Sequence, residues 1–472
     1  MQKNRGDSLM PKSDKKSSDE VKSSQEQREN NLLDNKLLKS FIKSKWYPGI
    51  FQLIVGLVFA FIVFELLTGP TDAGDNFGTA GTWVLWWPIL PILLFITGRF
   101  WCTICPFGAL SDLVQKFVGS KKPVPKFLRK YGVWCIDAMF LAITWSDHVF
   151  GVVESPRGSG TLLLLITIGV IFSGAFWERR TWCRYLCFLG GLSGNYSRAG
   201  MLQLRGTKEV CAKCTAAHCY KGSERADGCP MFEFPKTMED NSECNFCGNC
   251  VKNCPNNSIK ISWRVPTKEL WFIRKPRFDA AFLAVVIMGI VFVQNITMLN
   301  IWDGILAWLE NVTGTENYAV TFTITFIIAM AIPVILLSVT GLFAKMFNKA
   351  SLKENFTRYG YAIIPLDMAA HIAHNLFHLL AEGKSVFYTF IELFGVQVQN
   401  TSTAILDDPT IQALQFLLIG IGTLGSIYTV YRISKNNYES KKISVTIVYT
   451  VLLILLAVVN IMLFSLPMAM RM

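Results

Sequence analysis

The sequence predicts a mainly α-helical, polytopic membrane protein of about nine spans, interrupted by one polar cytoplasmic insert. Three observations carry that expectation. Of 472 residues, 51% are hydrophobic and only 17% charged, whereas soluble domains carry about a quarter charged residues. Apolar runs long enough to cross a bilayer recur along the chain. Basic residues are concentrated in alternate loops. The composition excludes a disordered chain, a collagen and a small disulfide scaffold.

In chain order, residues 1–46 carry mixed charge, Ser, Gln and Asn, with no early apolar core. They read as a disordered cytoplasmic tail and not as a signal peptide. A four-span membrane domain occupies 47–206, with runs near 48–68, 82–101, 131–147 and 161–177. The polar block at 207–263 follows. A five-span C-terminal membrane domain fills 264–472, with runs near 278–298, 319–343, 359–381, 411–431 and 443–466.

Loop charge sets the orientation. Lys and Arg number six in 111–130, five in 264–277, four in 344–358 and four in 432–442. The alternate loops hold none in 70–82, one in 147–160, none in 299–318 and one in 382–410. By the positive-inside rule the basic loops, the N-terminus and the insert are cytoplasmic. The chain is therefore expected to be a multi-pass protein of the cell (cytoplasmic or inner) membrane of a prokaryote, with lipid as its surroundings. The net charge of +12 has a topological cause, and no nucleic-acid partner follows from it.

Thirteen cysteines in a long chain, many in C-x-x-C-like runs, favour metal ligation over disulfides. Within the insert stands Cys244-x2-Cys247-x2-Cys250-x3-Cys254-Pro255. This is the bacterial ferredoxin run, whose fourth cysteine serves the other cluster. A looser copy precedes it: Cys211-x2-Cys214-x4-Cys219-x9-Cys229-Pro230. The insert thus reads as a bacterial-type double 4Fe-4S ferredoxin domain. The cross-over assigns Cys211, Cys214, Cys219 and Cys254 to the first 4Fe-4S cluster. It assigns Cys244, Cys247, Cys250 and Cys229 to the second. Zinc would account for C-x2-C pairs but not for the full run. With the cysteine set complete, His218 reads as a loop residue.

A second cysteine motif is duplicated. Trp101-Cys102-x2-Cys105-Pro106 closes the second span, and Trp182-Cys183-x3-Cys187-Phe188 closes the fourth. Aligning Cys105 with Cys187 also aligns Gly108 with Gly190, Leu110 with Leu192 and Ser111 with Ser193. The repeat is about 82 residues: two spans, then a cysteine pair at the cytoplasmic boundary. Cys102, Cys105, Cys183 and Cys187 can hold a third iron–sulfur centre, form a redox-active dithiol, bind another metal or pack as structural thiols. Cys135, alone within the third span, reads as a small apolar filler.

Over about 48–262 the chain resembles the NapH/NosR-type membrane polyferredoxins. That resemblance rests on both cysteine pairs and all eight ferredoxin cysteines. The family carries two C-x3-C-P motifs at cytoplasmic span ends and a C-terminal pair of 4Fe-4S motifs. Here the first pair is C-x2-C-P, and Phe188 stands where the family has proline. The resemblance implies electron transfer between the quinone pool or cytoplasmic donors and respiratory reductases outside. No outer segment is long enough for the flavin-binding domain of the NosR branch.

The seventh span holds Asp367, His371, His374 and His378 on one helical stripe. Ionisable groups inside a span are costly and usually functional. A haem b, a quinol or a metal site, with His371, His374 and His378 as ligands, or a hydrogen-bonded helix-packing seam, are the open alternatives. A haem would need a second ligand, and His148 is the other histidine on the outer side. The terminal Met468, Met470 and Met472 could bind Cu(I).

The expected function is membrane-bound iron–sulfur electron transfer through redox partner proteins, with no substrate pocket of its own. Two alternatives remain: a redox maturation factor for an exported copper enzyme, and a redox-sensing regulator.

Overall fold

The computed structural model describes residues 31–396, 398 and 402–467. All nine expected segments lie in helices. In chain order the principal helices begin with α1 (Lys36–Lys43), α2 (Gly49–Thr68) and α3 (Trp87–Thr97), the last entered through a π-helical turn at Ala80–Trp86. Then follow α4 (Pro106–Val118), α5 (Lys126–Phe150), α6 (Pro156–Phe176) and α7 (Phe188–Ala199). The C-terminal half contributes α8 (Phe278–Ile296), α9 (Tyr318–Asn348), α10 (Leu352–Gly360), α11 (Ile364–Ala381), α12 (Asp408–Asn437) and α13 (Lys442–Ser465).

Among the described residues, seven helical stretches are long and apolar enough to cross a membrane. α5 and α11 are not among the seven. α5 begins with Lys126, Arg129 and Lys130 and carries Asp137 and Asp147; α11 carries Asp367 and three histidines. Both are nonetheless built into the bundle. α11 packs against α3, α7, α8 and α12. Its approach to α12 is very close: a Cβ on Gly422 would lie 2.4 Å from the Ala369 Cβ. Small residues allow that kind of backbone contact between spans. Leu90, Leu94, Leu192 and Tyr196 of the first half share one core with Ala281, Ile287, Ile364 and Met368 of the second.

The disordered-tail expectation is corrected in part. Residues 1–30 lie outside the described residues. Asn31–Lys43, by contrast, form a short 3-10 turn and α1, each opened by an asparagine side-chain cap. Leu33, Ile42 and Tyr47 are buried against Phe246, Val251 and Ile261 of the insert. The apolar side chains that α1 and its flanks bury are too few to form a membrane run.

The insert is closed by two antiparallel strands, β1 (Leu202–Gly206) and β2 (Ile259–Trp263), paired from Leu202↔Trp263 to Gly206↔Ile259. They bring the end of the cysteine-rich loops back to their start. Arg264, buried directly after β2, donates to the carbonyls of Ser197 and Gly200 at the end of α7. The insert is thereby fixed to the membrane half.

Candidate functional site

The thiols of the insert lie in neighbouring groups on short helical turns and loops. Cys211 lies in a short helix that Cys214 caps, Cys219 lies in the turn His218–Lys221, and Cys254 caps Asn249–Asn253. Burial, then the charges of Cys254, Cys211 and Cys214, pushes the Cys219 thiol up to about 11. Cys229, Cys244, Cys247 and Cys250 line one cavity of about 350 Å³. Burial, then Cys229, pushes Cys247 up to about 12. Thiols crowded in this way cannot all ionise without a polyvalent cation among them. Backbone N–H groups are aimed at the sulfurs: Phe246 at Cys244, Asn249 at Cys247, and Met231 and Glu233 at Cys229. Ser258 donates to Cys254 Sγ at 3.3 Å.

Among the described residues no three His, Cys, Asp or Glu side chains are arranged to hold a metal ion. A single zinc, with Zn–S near 2.3 Å, draws its thiolates into close mutual contact. A cubane takes its ligands at the corners of a larger body, and Cys229, Cys244, Cys247 and Cys250 surround one shared cavity. The donor set and its N–H···S bonds fit an iron–sulfur cluster.

The repeat brings the boundary cysteines together. In each copy a turn of helix carries the first cysteine, and the second cysteine precedes a new helix: Cys105 before α4 and Cys187 before α7. Cys187 lies within electrostatic range of Cys183, Cys105 and Cys102. N–H groups of Phe107 and Gly108 point at Cys105, and that of Gly190 at Cys187. Ser193 Oγ lies 3.4 Å from Cys102 Sγ.

The two copies also lock each other. Arg180 Nη1 donates to the Cys102 carbonyl at 2.5 Å, and Arg99 Nη2 to the Cys183 carbonyl at 3.3 Å. A Cβ on Gly108 would sit 2.7 Å from Arg180 Nη1; one on Gly190 would sit 2.5 Å from the Cys183 carbonyl and 3.2 Å from Arg99 Nη2. The exchange is reciprocal, as a two-fold repeat requires. Sequence reasoning missed both arginines. Their signal was available, since Arg99 and Arg180 share the 81-residue offset of Trp101 and Trp182.

The three thiol sets lie in series. Cys250 feels the charge of Cys219, linking the first insert set to the second. Arg180 feels both Cys183 and Cys247, linking the second to the boundary set. Thr103 donates to the Asn245 carbonyl, and Arg99 to the Ser242 carbonyl. Gly98, at φ 62°, leaves its Cβ position 3.2 Å from the Phe246 ring.

Beyond the boundary set lies a cavity of about 820 Å³. Its wall runs from Phe107 and Phe188, next to the cysteines, past Trp83 and Trp87 to Asp147 and Ser159. The cavity lies outside any group of residues singled out from the sequence.

On α11, Asp367, His371, His374 and His378 are buried, as is Glu382 at its end. Tyr196 of α7 meets His371 Nδ1 at 3.1 Å and Asp367 Oδ2 at 3.4 Å. His374 Nδ1 meets Asn295 Oδ1 at 2.8 Å, and His378 Nδ1 meets Glu382 Oε2 at 3.2 Å. His371, His374 and His378 lie along one buried face of α11. Each Nδ1 is turned to a different partner. His148 is stacked on Phe322 with ring centroids 5.1 Å apart. Met468, Met470 and Met472 lie outside the described residues. Cys135 is half-buried in α5.

A 4Fe-4S binding domain model matches twice, at residues 79–125 and 159–205, and a second 4Fe-4S binding domain model matches residues 238–260. The first match pair is the duplicated boundary motif. An uncharacterized protein of Methanocaldococcus jannaschii is 25% identical over 39% of this chain and 81% of its own length. The putative electron transport protein YccM of Escherichia coli is 26% identical over 35% of this chain and 50% of its own. The regulatory protein NosR of Pseudomonas aeruginosa is 24% identical over 43% of this chain and 30% of its own. No solved structure matches. The chain carries 4Fe-4S ferredoxin domains and is homologous to YccM and NosR, consistent with a NapH/NosR-type polyferredoxin.

Proposed function

We propose that this chain, a helical membrane protein with 4Fe-4S domains, is an electron carrier of the cell membrane with its insert in the cytoplasm. It links cytoplasmic donors or the quinone pool to a respiratory or exported reductase. The observation that carries this reading is the series of thiol sets, which hydrogen bonds join to the boundary motif: Thr103 donates to the Asn245 carbonyl beside Cys244, and Arg99 to the carbonyls of Ser242 and Cys183. A structural metal domain has no need of such a series ending at the membrane. Cys211, Cys214, Cys219 and Cys254 would hold one cluster, Cys229, Cys244, Cys247 and Cys250 a second, and Cys102, Cys105, Cys183 and Cys187 a third. Each cluster supplies one-electron redox chemistry, with its potential set by burial and by hydrogen bonds to sulfur. Arg99 and Arg180 place two buried positive charges beside the boundary thiols. They offset the negative charge that a reduced centre adds in a low-dielectric setting.

The quinone link rests on the 820 Å³ cavity. Its wall is mainly apolar and aromatic and begins at the residues that follow Cys105 and Cys187. Thr82, Thr144 and Gln294 supply polar groups at that wall.

Iron and acid-labile sulfide counts on anaerobically purified protein test the carrier reading. About twelve irons are expected for three 4Fe-4S clusters, with three signals by electron paramagnetic resonance. Replacing Cys183 and Cys187 by alanine should lower the count to about eight and remove one signal. Eight irons in the unaltered chain would restrict the clusters to the insert.

A further inference from the structure

The charged and imidazole groups of α11 form a continuous buried line. Asp367, His371, His374, His378 and Glu382 follow at offsets of 4, 3, 4 and 4, spanning about 22 Å of helix. All five are 2% exposed or less. The His374 and His378 rings are 5.3 Å apart. A packing seam accounts for one or two such groups in a membrane helix. It does not account for five, two of them carboxyls, because each costs desolvation.

The line ends beside the boundary thiols. Tyr196, which bonds both Asp367 and His371, belongs to α7, and that helix starts at Cys187. The Trp87 indole lies 6.0 Å from the His371 ring and 6.3 Å from the Phe188 ring. One aromatic layer therefore separates His371 from the residue next to Cys187. Asp367 Oδ1 and Asn375 Oδ1 are buried with no hydrogen-bond partner. Buried polar atoms of this kind are where ordered water bridges side chains in proteins.

The other elements packed on α11 present mostly neutral groups to it. α7 contributes Tyr196, α8 contributes Asn295, and α12 contributes Gln415 and Ser426. The face of α3 toward His371 is Trp87. Of these only Tyr196 is titratable. A change of charge at the boundary thiols would thus act on Asp367 and His371 with little local compensation.

We propose that α11 is a proton path running from Glu382 to the Asp367–Tyr196–His371 triad, which takes up one proton for each electron that reaches the boundary thiols. This rests on the third-centre reading above. The electron comes from the clusters of the insert. The proton comes from water at the Glu382 end, and an O–H or N–H bond forms at Asp367 or His371. Each relay group releases its own proton as it accepts the next. Oxidation of the boundary centre returns both electron and proton.

The test is a redox titration of the full chain at several pH values, followed by electron paramagnetic resonance. One proton per electron changes the reduced-to-oxidised ratio of the boundary centre tenfold per pH unit, about 59 mV for one electron. Asp367→Asn with His371→Gln should flatten that slope while leaving the two insert signals as they were. Redox-difference infrared spectra should show a protonated carboxyl that Asp367→Asn removes. Glu382→Gln should keep the slope and slow proton uptake after a reductant pulse at least tenfold. A flat slope in the unaltered protein overturns the proton path and leaves the carrier reading standing. Eight irons and no third signal overturn the third-centre reading and the proton path with it. Should the double variant misfold, the slope of the unaltered protein still decides.

Discussion

Gly108 and Gly190 show how a single atom decides the boundary site. Each lies where the other copy's arginine meets the cysteine carbonyl of its own copy, and a methyl group at Gly190 would overlap the Cys183 carbonyl. Gly190→Ala should cost about 1–3 kcal/mol by overpacking and displace Cys187. Denaturant unfolding would read the first effect. Loss of one paramagnetic signal, with the insert signals intact, would read the second. An unaltered spectrum would mean that the Arg99–Cys183 contact does not shape the site. Ser193→Ala removes a hydroxyl 3.4 Å from Cys102 Sγ. Loss of a supporting bond to a metal ligand typically costs about ten- to a hundred-fold in metal retention. Iron release from the boundary centre into a chelator should accelerate by that order, with release from the insert unchanged.

At the scale of the element, α1 and the segment that leads from it to α2 dock on the loop that carries Cys244, Cys247 and Cys250. Tyr47 donates to the Phe246 carbonyl at 2.6 Å, and Lys252 Nζ donates to the Tyr47 carbonyl. The ring also fills the space over Gly248, where a Cβ would come within 2.8 Å of it. Tyr47→Phe should cost about 1 kcal/mol through the unsatisfied carbonyl. Tyr47→Ala should cost about 3–5 kcal/mol and admit water to the Cys244–Cys250 loop. The measurable result is faster oxygen bleaching of the second cluster, with the first less affected. Equal bleaching rates in Tyr47→Ala and the unaltered chain would show that α1 gives no protection. α11 illustrates the opposite arrangement. It is enclosed by other helices and carries its polar groups inward, so its hydropathy is low although its position is central.

For the whole molecule, the two halves share one core, and the insert is tied to both the tail and the boundary motif. An electron path and a proton path can meet only if that assembly holds one orientation in the membrane. The proposed orientation has the insert in the cytoplasm, on the side of the basic loops. Protease added to inverted membrane vesicles should therefore cut the insert, while intact cells or spheroplasts should protect it. The reverse pattern would invert the proposed direction of electron entry.

How much was legible follows from the range of each signal. The nine apolar runs and the alternating loop charge reflect the local contest between side chain, lipid and water, so the sequence alone determined the helices. The C-x2-C-x2-C-x3-C-P run sets three thiols of one cluster motif within seven residues and a fourth for its neighbour four residues on, so the insert was also legible. The duplication of Cys102–Cys105 and Cys183–Cys187 was visible as a repeat, but its purpose was not. Four thiols converge only when two segments about 80 residues apart cross, and the crossing depends on Arg99, Arg180 and two glycines acting across copies. The order of the thiol sets, the docking of α1 and the meeting of Tyr196 with Asp367 and His371 depend likewise on contacts distant in sequence. Their energies arise from packing and hydrogen bonds that exist only once the chain is folded, and only the tertiary structure decided them.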